Sequence, residues 1–137
     1  MGQRILLVDD ESAILFAYTR VLERQNLEVD AVGSVRETLG LLEKNEYKVA
    51  ILDLRLGGDS CEDGFELLEL IRKRQPGTKI IIITAYGSQE IQEKAFDLGA
   101  NYYFEKPVST RVIQDALKAS GVPIPENNNS NMEWKFQ

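Results

Sequence analysis

At 137 residues the chain is long enough for one domain whose core needs neither metal nor disulfide to hold together. Its formal net charge of −6 argues against gripping nucleic acid or an anionic membrane directly. With no histidine and a single cysteine, imidazole chemistry, histidine metal sites and intrachain disulfides are excluded, which leaves carboxylates, lysine and hydroxyls to do any chemistry.

Residues 4–8, Arg-Ile-Leu-Leu-Val, read as a buried strand that runs into the acids Asp9, Asp10 and Glu11. Ser12 opens a helix expected to reach about residue 25, with Ile14, Ala17, Tyr18, Val21 and Leu22 as its apolar stripe. Residues 27–32 form a second strand, in which Glu28 and Asp30 alternate with Leu27, Val29 and Ala31 as in a half-exposed edge strand. Gly33 and Ser34 turn the chain, and Ser34 with Glu37 has capping-box spacing. The helix that follows, to about residue 45, sets Val35, Leu39 and Leu42 on one face.

Residues 49–54, Val-Ala-Ile-Leu-Asp-Leu, are the stretch around which the rest is organised. A short apolar run bounded by turn signals suits a strand buried on both faces, with Asp53 at its carboxyl end. Residues 55–64 follow as a loop expected to be too polar for the core. Phe65, Leu68 and Ile71 mark a third helix that ends before Pro76 and Gly77. Residues 79–84, Lys-Ile-Ile-Ile-Ile-Thr, are the strongest strand signal, rich in β-branched side chains. Ser88, Ile91, Ala95 and Leu98 predict a fourth helix stopped by Gly99. Residues 101–104 predict a short fifth strand leading into Glu105, Lys106 and Pro107. Val112, Ile113, Ala116 and Leu117 predict a last helix that frays at Ser120 and Gly121.

Strand and helix alternating at this spacing favour parallel strands with right-handed crossovers. The expected fold is a single-domain, α/β, flavodoxin-like doubly wound sheet of five parallel strands, order 2-1-3-4-5, with five helices. Residues 1–120 are assigned to it, and residues 121–137, rich in proline and asparagine, have the composition of a tail or of a linker toward an output module. No apolar run reaches the ~20 residues that span a bilayer. Met1-Gly2-Gln3-Arg4 lacks the regions of a signal peptide, and with lone Cys61 this makes a cytoplasmic setting the expectation.

Every strand but the edge one runs into a reactive group: Asp9 and Asp10 after the first, Asp53 in the third, Thr84 in the fourth, Lys106 after the fifth. In a parallel sheet these carboxyl ends share one edge, so groups distant in sequence converge there. Carboxylates without histidine make a hard-oxygen site that suits Mg²⁺ or Mn²⁺. A carboxylate beside such an ion can attack phosphorus, with the Thr84 hydroxyl and Lys106 ammonium binding the phosphoryl oxygens. Each residue alone has a plainer explanation: an acidic helix start for Asp9 to Glu11, a β-former for Thr84, a solvated loop lysine for Lys106. Their joint placement favours phosphoryl transfer.

In that order, Val8-Asp9-Asp10-Glu11, Leu52-Asp53-Leu54, Thr84-Ala85 and Glu105-Lys106-Pro107 resemble the receiver domain of two-component response regulators over residues 4 to about 120. The run Ile83-Thr84-Ala85-Tyr86-Gly87-Ser88 is similar to receivers of the nitrogen-regulatory type. The resemblance implies that Asp53 accepts phosphate from a sensor histidine kinase or a phosphotransfer protein. It implies that Asp9, Asp10, Asp53 and the backbone carbonyl of Arg55 hold Mg²⁺. It also implies that Thr84 and Tyr103 form a switch pair: Thr84 moves toward the phosphoryl group and the ring turns into the space vacated. The surface of the fourth helix, fifth strand and fifth helix would then change and support a phosphorylation-dependent homodimer. Catalysis would be limited to the domain's own phosphorylation and dephosphorylation.

Arg55 and Tyr86 stand where this family tunes dephosphorylation, and their bulk is expected to shield the aspartyl phosphate. Two departures from the family pattern concern the loop after Asp53: Gly57 replaces a proline, and the stretch to Asp63 and Gly64 is longer. Three rival readings fit less well. A haloacid-dehalogenase-type phosphatase needs an acid two residues after its nucleophile, where this chain has Arg55. An unphosphorylated scaffold of this fold would have lost site residues. A flavin-binding flavodoxin relative would need amides or hydroxyls where the first loop is acidic.

Overall fold

Residues 4–58 and 60–124 are described by the structure, a computed structural model. Strand and helix alternate: β1 Arg4–Val8, α1 Ser12–Glu23, β2 Glu28–Val32, α2 Val35–Lys44, β3 Val49–Leu52, α3 Glu62–Arg74, β4 Lys79–Thr84, α4 Gln89–Asp97, β5 Tyr102–Glu105 and α5 Thr110–Ala119. The strands pair in parallel in the order β2-β1-β3-β4-β5, the flavodoxin-like arrangement that the sequence predicts.

Alternation along each central strand divides the core between the two faces of the sheet. Leu6, Val8, Ala50, Leu52, Ile80 and Ile82 meet α2, α3 and α4 through Leu42, Leu68, Ile71 and Ala95. Ile5, Leu7, Val49, Ile51, Ile81 and Ile83 meet α1 and α5 through Leu22, Ile113 and Leu117. Covering both faces is what lets these strands be apolar throughout. Helices α2, α4 and α5 start where serines supply a side-chain oxygen: Ser34, Ser88 and Ser109 accept the amides of Glu37, Ile91 and Val112 at 3.1–3.2 Å.

Several expectations are corrected. The face of α1 toward the sheet carries Leu15, Tyr18 and Leu22, whereas Ala17 is exposed. Two overlapping apolar stripes fit this helix, and packing against β1 and α5 selects the one through Leu15. In β2, Ala31 is exposed and Asp30 is half-buried, the reverse of simple alternation. Asp30 can sit there because Arg4 at 3.0 Å and the Tyr47 hydroxyl at 2.6 Å satisfy its carboxylate. β3 ends at Leu52, so Asp53 lies just beyond the strand.

The 55–64 loop is not wholly polar: Leu56 is buried in the core beside Leu54. A Cβ on Gly64 would collide with the Leu54 backbone, so only glycine lets α3 pack this closely on the loop. β5 starts one residue later than predicted, because the Asn101 side chain leaves the strand pattern to accept the Ile80 amide at 2.9 Å. Past α5, Val122 is buried and Ile124 packs on the same cluster. The remainder of the Pro/Asn-rich tail lies outside the described residues.

Candidate functional site

Three backbone hydrogen bonds carry the ladder one residue past the strands and so level the functional groups at one edge. The Asp9 amide donates to Val32 at 3.1 Å, the Asp53 amide to Val8 at 2.9 Å and the Lys106 amide to Thr84 at 2.9 Å. Asp9 and Asp53 are almost fully buried there, while Asp10 and Glu11 reach into solvent.

The Lys106 ammonium ties the acids together, donating to Asp9 Oδ2 at 2.8 Å, Asp53 Oδ2 at 3.1 Å and Glu11 Oε1 at 3.1 Å. Asp9 and Asp53 also position loops, as does Asp10. Asp9 Oδ1 accepts the Glu11 amide at 2.9 Å, Asp53 Oδ1 the Arg55 amide at 3.1 Å, and Asp10 Oδ2 the Gly57 amide at 3.1 Å. Gly57 makes this turn with φ +84°, a conformation that favours glycine. Glu11 is the member that sequence reasoning left out of the site. The acidic run Asp9-Asp10-Glu11 was its only signal, and only the fold brings it to Lys106, 95 positions away.

Burial raises the Asp9 carboxyl above the usual range, against the opposing pull of Lys106. Burial alone would lower Lys106, yet its bond to Asp9 and the charge of Asp53 outweigh it and raise the group above an ordinary lysine. Lys106 therefore stays charged at any physiological pH.

Oxygens of Asp9, Asp10, Glu11 and Asp53 all lie within 4.8 Å of one another. Four carboxylates against one bonded ammonium, with no sulfur or imidazole in the set, fit a hard divalent cation. An open cleft of about 180 Å³ lies above them, lined by Asp10, Glu11, Asp53, Arg55, Gly58, Ala85 and Tyr86. At its rim the Arg55 guanidinium stacks 4.1 Å from the centre of the Tyr86 ring.

Thr84 ends β4 beside the cleft, fully buried, and among the described residues its hydroxyl finds no hydrogen-bond partner. Tyr103 is set apart from the cleft. It pairs in register with Ile82 on β4, two residues before Thr84, which places both side chains on the α4 face of the sheet. Its hydroxyl is likewise buried without a well-formed hydrogen bond among the described residues, and burial followed by the Glu105 charge raises its pKa against a weaker opposing pull from the Ser88 backbone. The fold thus brings together Asp9, Asp10, Asp53 and Lys106, sets Thr84 next to them, puts Arg55 and Tyr86 at the rim, and leaves Tyr103 behind Thr84.

A doubly wound parallel sheet with buried acids, a captive lysine and an orphan threonine hydroxyl along one edge is the arrangement the sequence predicts. The chain belongs to the response regulator receiver domain family, which matches residues 5–118.

Among its relatives is the photosynthetic apparatus regulatory protein RegA of Rhodobacter capsulatus, 31% identical over 121 residues that cover 88% of this chain and 64% of RegA. The chain therefore spans a little under two thirds of that relative. The solved CheY-like response regulator receiver domain protein of Methanospirillum hungatei JF-1 is 35% identical with a TM-score of 0.80, over 87% of this chain and 93% of that one. A Burkholderia pseudomallei response regulator, solved with a phosphorylated aspartic acid, calcium ion and citrate, is 27% identical with a TM-score of 0.78, over 98% of this chain and 72% of that one.

Proposed function

We propose that Asp53 accepts the phosphoryl group of a phosphohistidine, on a sensor histidine kinase or a phosphotransfer protein, and that this resets a signalling surface. The observation that carries this reading is the setting of Asp53: nearly buried at the floor of an open cleft, with Oδ2 3.1 Å from Lys106 Nζ and Oδ1 held by the Arg55 amide. One oxygen of Asp53 attacks phosphorus, the bond from phosphorus to the donor imidazole breaks, and that nitrogen keeps the electron pair. Lys106, anchored by Asp9 and Glu11, is aimed to bind a phosphoryl oxygen as charge gathers there.

Asp9, Asp10, Asp53 and the backbone carbonyl of Arg55 would hold Mg²⁺ or Mn²⁺. The ion, when bound, supplies charge neutralisation for a dianionic group entering an acidic cleft. The Burkholderia response regulator, with its phosphorylated aspartic acid and calcium ion, supports both parts of this assignment.

Thr84 gains in the phosphoryl group the partner its hydroxyl lacks. Its movement frees space for Tyr103, and the balance between two conformations shifts by their difference in affinity for the modified site. The consequence is a changed surface of α4, β5 and α5, where exposed Phe96 packs against Tyr103 at 6.5 Å, and where a phosphorylation-dependent dimer would form. Arg55 and Tyr86 slow hydrolysis by covering the cleft.

We read residues 1–120 as the receiver and 121–137 as a tail or linker toward an output module, in keeping with the greater length of RegA. The domain's chemistry is its own phosphorylation and dephosphorylation, in the cytoplasm, without direct contact with nucleic acid or membrane. Among the described residues no helix is long and apolar enough to cross a membrane.

Intact mass after incubation with a small-molecule phosphodonor tests the reading. A Mg²⁺-dependent gain of one phosphoryl group that is absent in Asp53→Asn is expected. No gain in folded protein overturns the proposal and moves the unphosphorylated scaffold to first place.

A further inference from the structure

We propose that Gly87 is a positioning residue for the switch tyrosine. Its missing side chain keeps open the space in which the Tyr103 hydroxyl rests, and this sets how readily the ring follows phosphorylation of Asp53. The inference rests on the functional reading of Asp53, Thr84 and Tyr103 above.

Gly87 lies half-buried in the short link between β4 and the serine cap of α4. A Cβ built on it would collide with the Tyr103 hydroxyl and stand 3.1 Å from Tyr103 Cζ and 2.8 Å from Glu105 Oε1. The backbone itself does not demand glycine. Among the described residues the positive-φ glycines are Gly57, Gly99 and Gly121, so at 87 it is space and not conformation that a side chain would lack. Glu105 ends in a flexible carboxylate that can swing aside. The tyrosine hydroxyl is the tip of a rigid ring and can yield only if the whole ring turns.

Packing does more than hydrogen bonding to hold that ring. Its hydroxyl feels the Ser88 backbone but makes no well-formed hydrogen bond among the described residues, and exposed Phe96 packs against it with ring centroids 6.5 Å apart. The inward direction is closed while Thr84, fully buried on the same face, keeps its place. An alanine at 87 therefore drives the ring outward past Phe96. From there it must be buried again, past the added methyl, before it can occupy the space Thr84 vacates. The substitution should lower phosphoryl loading by acting on Tyr103, leaving Asp53, Lys106 and the acidic cluster untouched.

The test compares wild type, Gly87→Ala, Tyr103→Phe and the double variant as full chains. Tyrosine ring signals are followed by NMR, with Tyr103 assigned by its loss in Tyr103→Phe, and phosphoryl loading is measured by intact mass at fixed Mg²⁺ and donor. In Gly87→Ala the Tyr103 signals should move toward those of exposed tyrosines. Loading should fall by about twofold or more, the low end of coupling between residues in contact. In the Tyr103→Phe background the same substitution should change loading less, since the nearest remaining ring atom, at 3.1 Å, needs only a slight shift. Unmoved Tyr103 signals in folded Gly87→Ala, or an equal loss of loading in both backgrounds, overturn the proposal. If wild type takes up no phosphoryl group, the reading of Asp53 fails, while the ring signals still decide whether Gly87 positions Tyr103.

Discussion

Replacing Lys106 by methionine keeps the stem of the side chain and removes the charge that holds the acidic edge together. The Lys106 side chain is 10% exposed, and it lies between Asp9 at 4% and Asp53 at 6%. Glu11, 59% exposed, can turn to water and adds little. Removing one partner of a buried ion pair costs ~3–5 kcal/mol, and the open cleft above these acids places this site near the lower end, ~3 kcal/mol. For a domain of this size that corresponds to a Tm lower by about 10–15 °C.

The pH dependence follows from Asp9, whose carboxyl pKa is raised by burial despite Lys106. A carboxyl with a raised folded-state pKa favours the fold in acid, and that contribution is lost as pH rises through the folded value. Without Lys106 the pKa rises further, so the deficit of the variant is largest at neutral pH and shrinks on acidification. Urea unfolding followed by far-UV circular dichroism at pH 7 and pH 5, with and without Mg²⁺, measures this, and Mg²⁺ should restore part of the loss at pH 7. A Lys106→Met protein as stable as wild type at pH 7, or one whose deficit grows in acid, would refute the reasoning.

Gly64→Ala forces a methyl into the Leu54 backbone and should destabilise by about 2–3 kcal/mol in chemical denaturation. Because Leu54 adjoins Asp53, phosphoryl loading should fall as well. Tyr47→Phe removes the 2.6 Å bond to Asp30, which keeps Arg4, so a loss of about 1–2 kcal/mol at pH 7 is expected. Burial, then Asp30, holds the Tyr47 phenol above its ordinary range. Its contribution is thus present below about pH 10 and lost as pH rises through the folded value, so alkaline unfolding should be steeper in wild type than in Tyr47→Phe. Alanine at both Arg55 and Tyr86 opens the rim of the cleft and should shorten the aspartyl phosphate lifetime several-fold in a pulse-chase by mass, and an unchanged lifetime sinks the shielding idea. Stability should change little, since an exposed cation–π pair contributes only ~0.5–1 kcal/mol.

Much of this was legible in one dimension because it depends on period and on strand ends. A run such as Ile80 to Ile83 can be satisfied only by cover on both faces, and the helical segments between such runs make the strands parallel. Parallel strands bring their carboxyl ends to one edge, so strand order alone gathers Asp9, Asp10, Asp53, Thr84 and Lys106.

What remained depended on which surfaces meet. Period alone does not separate the stripe of α1 through Ala17 from the one through Leu15, since both recur every turn, and β1 and α5 decide between them. Asp30 reads as a solvated acid until Arg4 and Tyr47 arrive to pair with it. Leu56 reads as part of a polar loop until the core closes over it. Glu11, Gly64 and Gly87 have meaning only through Lys106, Leu54 and Tyr103, partners that folding supplies. Local pattern determines what each segment is and which groups stand at its ends. The distances between side chains far apart in the chain are set by packing, and no segment holds that information alone.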